Sequence, residues 1–280
     1  MCLDLAALFE EGYEVAITHG NGPQVGNILL RIELSAHQVY PLPLDVCVAD
    51  TQGGMGYMIQ QQLANVLHER RLSRPVVTVL TQVVVDVKDP AFKKPTKPVG
   101  PAYTRERAEA LSREHGFYVA EDAEGRFVRV VASPYPLEIV EIDMIRRLLD
   151  SGAAVIAAGG GGVPVVRDEG LLRGVEAVVD KDYSSSLLAR EIDADLLVIA
   201  TSVDRVVLSY RKPDARPVSR LTAEEAEKYL REGHFPPGSM GPKIEGALAF
   251  LKAGGGEVII TNVESLPSAI RGGAGTHVVP

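Results

Sequence analysis

The stretch Val15-Ala16-Ile17-Thr18-His19-Gly20-Asn21-Gly22-Pro23-Gln24-Val25-Gly26 decides how this chain folds. A short apolar run gives way to a glycine-dense turn, and the turn opens straight into a helical pattern. Such a junction leaves backbone N–H groups unpaired at the helix start, where bare backbone and the helix dipole both favour an anion. One turn of this kind often does no more than reverse the chain. Here the arrangement recurs. Ala153–Ala158 runs into Gly159-Gly160-Gly161-Gly162, and Pro237-Gly238-Ser239-Met240-Gly241-Pro242 opens another helix. Repeated anion-friendly turns point to a phosphorylated small molecule.

Outward from these turns, apolar runs predict strands at Glu14–Thr18, Pro75–Val85, Ala153–Ala158, Asp195–Thr201, Arg205–Ser209, Glu257–Thr261 and Thr276–Val279. Helical spacing covers Gln24–Ser35, Gln52–Arg71, Leu137–Asp150, Tyr183–Ile192, Thr222–Arg231, Pro242–Lys252 and Glu264–Ile270. Thr222 and Glu225 form a capping box. The strands are near-continuous in Val, Ile, Leu and Ala, as in a parallel sheet covered on both faces. Alternation of the two element types gives an α/β fold, a three-layer αβα sandwich with a mainly parallel central sheet. The chain reads as one domain over 1–280, with a small α+β subdomain inserted at 88–133. That insert holds a Pro- and Lys-rich loop, a polar helix at Thr104–His115, and short strands at Phe117–Val119 and Phe127–Val131. At the start, Leu3, Leu5, Ala6, Leu8 and Phe9 read as the last turns of an amphipathic helix closed by Gly12.

Composition excludes several classes. With 46% hydrophobic and 24% charged residues, the 280-residue chain has the balance of a soluble globular enzyme. A net charge of −8 leaves no cationic excess for a nucleic-acid backbone. Cys2 and Cys47 are too few for a disulfide scaffold or zinc cluster, and fit free thiols in a reducing, cytoplasmic setting. No run approaches the roughly 18 apolar residues of a membrane span, and no basic-then-apolar leader opens the chain.

The residues suited to chemistry are lysines. Lys243 follows Pro242 in the first turn of a helix, where a cation opposes the dipole at a cost of up to about 1 kcal/mol unless an anion shares the site. Lys181, between Asp180 and Asp182, stands at the start of the Tyr183–Ile192 helix in the same way. Either lysine alone reads as a solvated charge; two beside glycine- or aspartate-bearing turns read as a phosphate site. In Lys93-Lys94-Pro95-Thr96-Lys97-Pro98, only Lys97 is stiffened by flanking prolines. Asp182 and Asp204 sit at element junctions, suited to hold a lysine or lie near a metal. The six histidines lack metal-ligand spacing, and His19 reads as a packed strand-end residue. No metal ligand is assigned. The nucleophile elbow, the P-loop and the Gly-x-Gly-x-x-Gly fingerprint are absent.

These residues carry a resemblance. The chain is similar to the amino acid kinase superfamily, and within it to carbamate kinases, through Ala16–Gly26, Thr81–Asp86, Asp89–Phe92 with Pro95–Pro101, Ala157–Val166, Gly174–Asp182 and Gly233–Met240. The Thr96–Pro101 insert and the Gly238-Ser239-Met240 turn are more specific than the glycines. The resemblance implies reversible phosphoryl transfer between ATP and carbamate with Mg²⁺, ATP-forming in arginine catabolism, by a homodimer whose contact lies near Met55–Ala64. It further implies that Gly20, Asn21 and Gly22, with Gly160 and Gly161, face the carbamoyl phosphate. Lys181 and Lys243 would stabilise the moving phosphoryl group, Asp182 would orient them, and Lys97 would reach in from the insert. Thr201, Ser202, Asp204, Phe235, Gly238, Ser239 and Met240 would border the nucleotide.

One departure bears on activity. The family begins with a strand and a Gly-Gly-Asn turn ahead of the region matching Leu3–Gly12, and this sequence has neither. The expectation is a start at an internal methionine of a longer chain, or a cut, and little kinase activity in the short form. A non-catalytic nucleotide-binding homologue and a kinase of another small acid remain alternatives at this level.

Overall fold

The run Ala154–Ile156 is buried throughout and forms the middle of a parallel sheet, with Ala16–Ile17 on one side and Val76–Thr78 on the other. A strand apolar on both faces needs a helical layer over each. Ala154 and Ile156 pack with Leu5 and Phe9 of helix Cys2–Glu10 and with Leu63 and Leu67 of helix Leu44–Glu69. Val155, pointing the other way, packs with Ile145 of helix Ile142–Asp150 and with Leu187 and Leu188 of helix Lys181–Glu191. The result is the layered α/β architecture expected from the pattern. The computed structural model describes residues 1–122, 124–210, 212–236 and 238–280.

Other sheets extend from this one. Gln82–Val85 pairs in parallel with Val163–Asp168 and antiparallel with Pro136–Ile139, and Leu171–Gly174 closes a hairpin on Val163–Asp168. In the C-terminal half, Leu196–Thr201 lies parallel to Glu257–Asn262, followed by Thr276–Val279 and Arg220–Thr222. Its core gathers Ile199, Val258, Ile260, Ile244, Phe250 and Leu251. A separate antiparallel sheet, Lys97–Tyr103 with Phe127–Val131 and Tyr118–Glu121, carries helix Arg105–His115. Thr104 caps that helix and Gly116 ends it in the left-handed region.

Several elements differ from their expected bounds. The run Pro75–Val85 is two strands rather than one, Val76–Thr78 and Gln82–Val85, placed in different sheets. Gln52 marks the break: its side chain accepts from Thr81 N and donates to Thr81 O, which also accepts from Val163 N. Residues 136–139 form a strand instead of the first turn of a helix, because Pro136 and Ile139 are buried against Gln82–Val85. The helix expected from Gln52 starts at Leu44, where Glu176 accepts from the Leu44 N–H. Lys97 opens a strand, not a loop.

A cleft of about 830 Å³ separates the two halves. Among the described residues, strand Ala16–Ile17 pairs on one edge only, and so does Leu196–Thr201; both line the same cleft. Leu5, Leu8, Leu188, Ile192, Leu266 and Ile270 line it, and at one end it reaches Gly20, Lys181 and Asp182.

Candidate active site

Asp180 is the N-cap of helix Lys181–Glu191, its Oδ1 accepting from Asp182 N at 3.0 Å. This cap fixes the turn from which Lys181 and Asp182 project. Lys181 Nζ donates to Asp182 Oδ1 at 2.6 Å, and Lys243 Nζ donates to Asp182 Oδ2 at 2.8 Å. Lys97 Nζ donates to Asp180 Oδ2 at 2.5 Å. Three ammonium groups from distant segments therefore converge on the corner 180–182, held by two carboxylates that leave one positive charge in excess. The Asp182 side chain is only 8% exposed and that of Lys243 12%, so their attraction is weakly screened.

Lys243 lies in the first turn of helix Met240–Lys252, which has no acidic residue there and no side-chain cap at Ser239. The helix bearing Lys181 is held against it by Ser186 Oγ donating to Gly246 O at 2.8 Å. Burial lowers the proton affinity of Lys243 below the ordinary lysine value, and its bond to Asp182 works against that shift.

The glycine turns meet this corner. A Cβ on Gly20 would lie 3.3 Å from Cδ of Lys181, so the first turn rests directly on that lysine. Asn21 is buried and donates to Thr51 Oγ1 at 2.8 Å. Gly22 starts helix Gly22–Ser35, faces open space and has no acidic residue in the first turn beside it. Gly160 and Gly161 have φ of +65° and +99°, and their positions are packed from both sides. A Cβ would fall 2.0 Å from Asn21 Nδ2 at Gly160, and 2.2 Å from Val179 O at Gly161. Gly160 N also donates to His19 O, locking the two glycine turns together. Accordingly, Gly160→Ala is expected to destabilise the fold by at least about 1–3 kcal/mol from backbone strain. Gly22→Ala, a position with no clash, should change stability by less than about 1 kcal/mol; urea unfolding compares the two.

His19 is held as the sequence suggests, packed at a strand end against Gly159, and burial lowers its proton affinity. The residues expected at the nucleotide lie in the C-terminal half. Thr201 ends strand Leu196–Thr201, with Ser202 and Asp204 just beyond it. Asp204 faces Arg205 at 3.6 Å and keeps Oδ1 buried without a hydrogen-bond partner. Phe235 is buried in the C-terminal core, so it lies beneath the surface instead of on it. Gly238, Ser239 and Met240 lead into the Lys243 helix, with Ser239 N and Gly241 N both donating to Pro236 O. Pro237 lies outside the described residues.

Sequence reading missed Asp180, Thr51, Gln52 and Ser184 as parts of this site. Ser184 Oγ donates to Gly161 O at 2.7 Å and so joins the Lys181 helix to the second glycine turn. Asp180 carried a legible signal, an aspartate directly before a helical run. Thr51 and Gln52 carried none, since their partners lie about thirty residues away.

Comparison with known proteins identifies the family and the fold. The amino acid kinase family matches residues 1–262. A Pyrococcus horikoshii protein named carbamate kinase is 49% identical over 278 residues, covering 99% of this chain and 88% of that protein. The carbamate kinase-like protein YahI of Escherichia coli is 50% identical over 272 residues, covering 95% and 85%. Among solved structures, carbamate kinase from Giardia lamblia bound to AMP-PNP superposes with a TM-score of 0.93 at 40% identity, covering 99% and 88%. The chain belongs to the amino acid kinase family, and within it to the carbamate kinase group.

Proposed function

We propose that this protein catalyses reversible phosphoryl transfer between ATP and carbamate, giving ADP and carbamoyl phosphate. The observation that carries this reading is the convergence of Lys97, Lys181 and Lys243 on Asp180 and Asp182, beside the Gly20 turn. Carbamate is already an anion, so its oxygen needs no general base. A loose phosphoryl-transfer transition state asks instead for in-line placement and positive charge on the equatorial oxygens. Each lysine ammonium has three N–H donors, and anchoring one on a carboxylate leaves the others for the phosphoryl oxygens. With His19 biased toward its neutral form, the lysines are the source of that charge.

The nucleotide would lie across Thr201, Ser202 and Asp204, outside the carboxyl ends of the parallel strands, and along Gly238–Met240. AMP-PNP in the Giardia lamblia relative supports a nucleotide of this class. No group of three or more acidic, histidine or cysteine side chains among the described residues makes a metal cage. Asp180 and Asp182 are already engaged by lysines. This donor set fits Mg²⁺ carried on the nucleotide phosphates, where it commonly keeps several waters and few protein ligands. When bound, the ion would neutralise charge on the phosphates.

We further infer a homodimer, because exposed Tyr57 of helix Leu44–Glu69 and exposed Leu80 line one surface pocket, with Met58 exposed next to Tyr57 in the helix. The inserted unit at 88–133, a cytoplasmic setting and an ATP-forming role in arginine breakdown belong to the same reading. The second reading is a kinase of another small acid, which the choice of donor below separates from the first.

The test is coupled ATP formation from ADP and carbamoyl phosphate, alongside acetyl phosphate as donor. ATP from carbamoyl phosphate alone is expected. ATP from the other donor alone would turn the assignment to the second reading, and none from either, with or without an added leading strand, would refute both. The rate should also fall as pH rises, since Lys243 acts as a cation and burial shifts its deprotonation below the ordinary value of 10.5. Lys243→Arg, which stays charged, should move that alkaline limb upward in a pH–rate profile even if the maximum rate drops.

A further inference from the structure

We infer that Asp180 is a positioning residue that holds Lys97 at the reaction corner and thereby ties the 97–131 sheet to the main body; this rests on the carbamate kinase reading. Asp180 uses its two oxygens for two tasks. Oδ1 caps the helix that presents Lys181 and Asp182, and Oδ2 takes the ammonium of Lys97 at 2.5 Å. Burial alone would raise its proton affinity, but Lys97 and the Asp182 N–H together hold it below the ordinary carboxylate range. Lys97 is the first residue of strand Lys97–Tyr103 and lies opposite Val131, so its backbone moves with the antiparallel sheet.

The other polar ties between that unit and the body lie elsewhere. Tyr103 and Arg107 both donate to Glu33, and Arg129 donates to Glu176. Only the Lys97–Asp180 pair, among these ties, ends at the corner where Lys181 and Lys243 meet. Asp180 thus does for Lys97 what Asp182 does for the other two lysines. It fixes one N–H of the ammonium and leaves two for an incoming anion. Without it, Lys97 has its backbone anchor but no counter-charge to aim its four-carbon side chain.

Asp180→Asn separates the two tasks, because the amide oxygen can still cap the helix while the charge is gone. Asp180→Ser provides a second variant, able to cap but too short to reach Lys97. In hydrogen-exchange mass spectrometry on the full chain, both variants should exchange faster across 97–103 and unchanged across 181–191. In the ATP-forming assay, both should raise KM for carbamoyl phosphate by about tenfold or more while leaving KM for ADP in place. Adding either change to Lys97→Met should cost nothing further. Unaltered exchange across 97–103, a matching rise in KM for ADP, or losses that multiply in the double variant would each overturn the inference. If the unmutated chain, with or without an added leading strand, makes no ATP from carbamoyl phosphate, the functional reading fails by itself. The exchange experiment needs no turnover and still decides whether Asp180 holds Lys97.

Discussion

Asp182→Asn is expected to lower the rate of ATP formation by about 160- to 5,000-fold, the rate equivalent of breaking a buried ion pair at roughly 3–5 kcal/mol. The carboxylate is buried and holds Lys181 at 2.6 Å and Lys243 at 2.8 Å. An asparagine keeps the shape but replaces one acceptor oxygen with an NH₂ group, which faces an ammonium. The two lysines then repel each other with no carboxylate between them, since the remaining Asp180 is engaged by Lys97, and neither stays aimed at the phosphoryl group. A like-charge pair released from its anchor should also cost stability, so the midpoint of thermal unfolding should fall by several degrees. Lys181→Met and Lys243→Met, which each remove one donor, should lose about 10²–10³-fold. They should do so without the same loss of stability, because each leaves one cation on Asp182 and removes a repulsive neighbour. A variant Asp182→Asn within tenfold of the parent rate would refute the anchoring role.

The asymmetry between Asp182 and its neighbours shows what a linear sequence reveals. Lysines at helix starts were legible because each violates a local electrostatic preference, and such a violation needs a compensating partner. The partner was legible in part: Asp182 stands beside Lys181, yet nothing in the spacing reveals that Lys243 comes back to the same carboxylate. The Lys97–Asp180 pair spans 83 positions and follows from the placing of a whole sheet, which no local pattern encodes. Strand boundaries failed for a similar reason. Leu137 and Glu138 are exposed while Pro136 and Ile139 are buried, a pattern that fits an edge strand once Gln82–Val85 is beside it. Alone, four such residues before Ile142–Asp150 read equally well as an extra helical turn. The layered α/β class survived because it depends on the apolar runs themselves, and these are continuous in Ala153–Ala158 and Glu257–Thr261 whatever their neighbours.

The other large effect concerns the cleft between the halves of the molecule. Adding an apolar strand with a Gly-Gly-Asn turn ahead of Met1 is expected to raise ATP formation at least about a hundredfold over the 280-residue chain, the effect of restoring one donor to a phosphoryl site. Strand Ala16–Ile17 gives its paired edge to Ala154–Ile156, where Val155 N and Ala157 N bond Val15 O and Ile17 O. Backbone alternation then turns the Ala16 groups toward the cleft. Leu196–Thr201 likewise pairs only with Glu257–Asn262. Free edges on both sides of an apolar cleft, roofed by Leu5 and Leu8 and floored by Leu188 and Ile192, suit a strand that is apolar on both faces. Strand Ala16–Ile17 runs into Gly20, at the end of the cleft that Lys181 and Asp182 also line, so an insert parallel to it would deliver its closing turn to that corner. The added strand should also raise the thermal midpoint, since two unpaired edges become one continuous sheet. A version with proline at the strand's centre, unable to donate to the ladder, should show neither gain. Equal rates and equal midpoints with and without the intact strand would mean that the cleft is not a strand site, and that the phosphoryl corner is complete with the donors already around it.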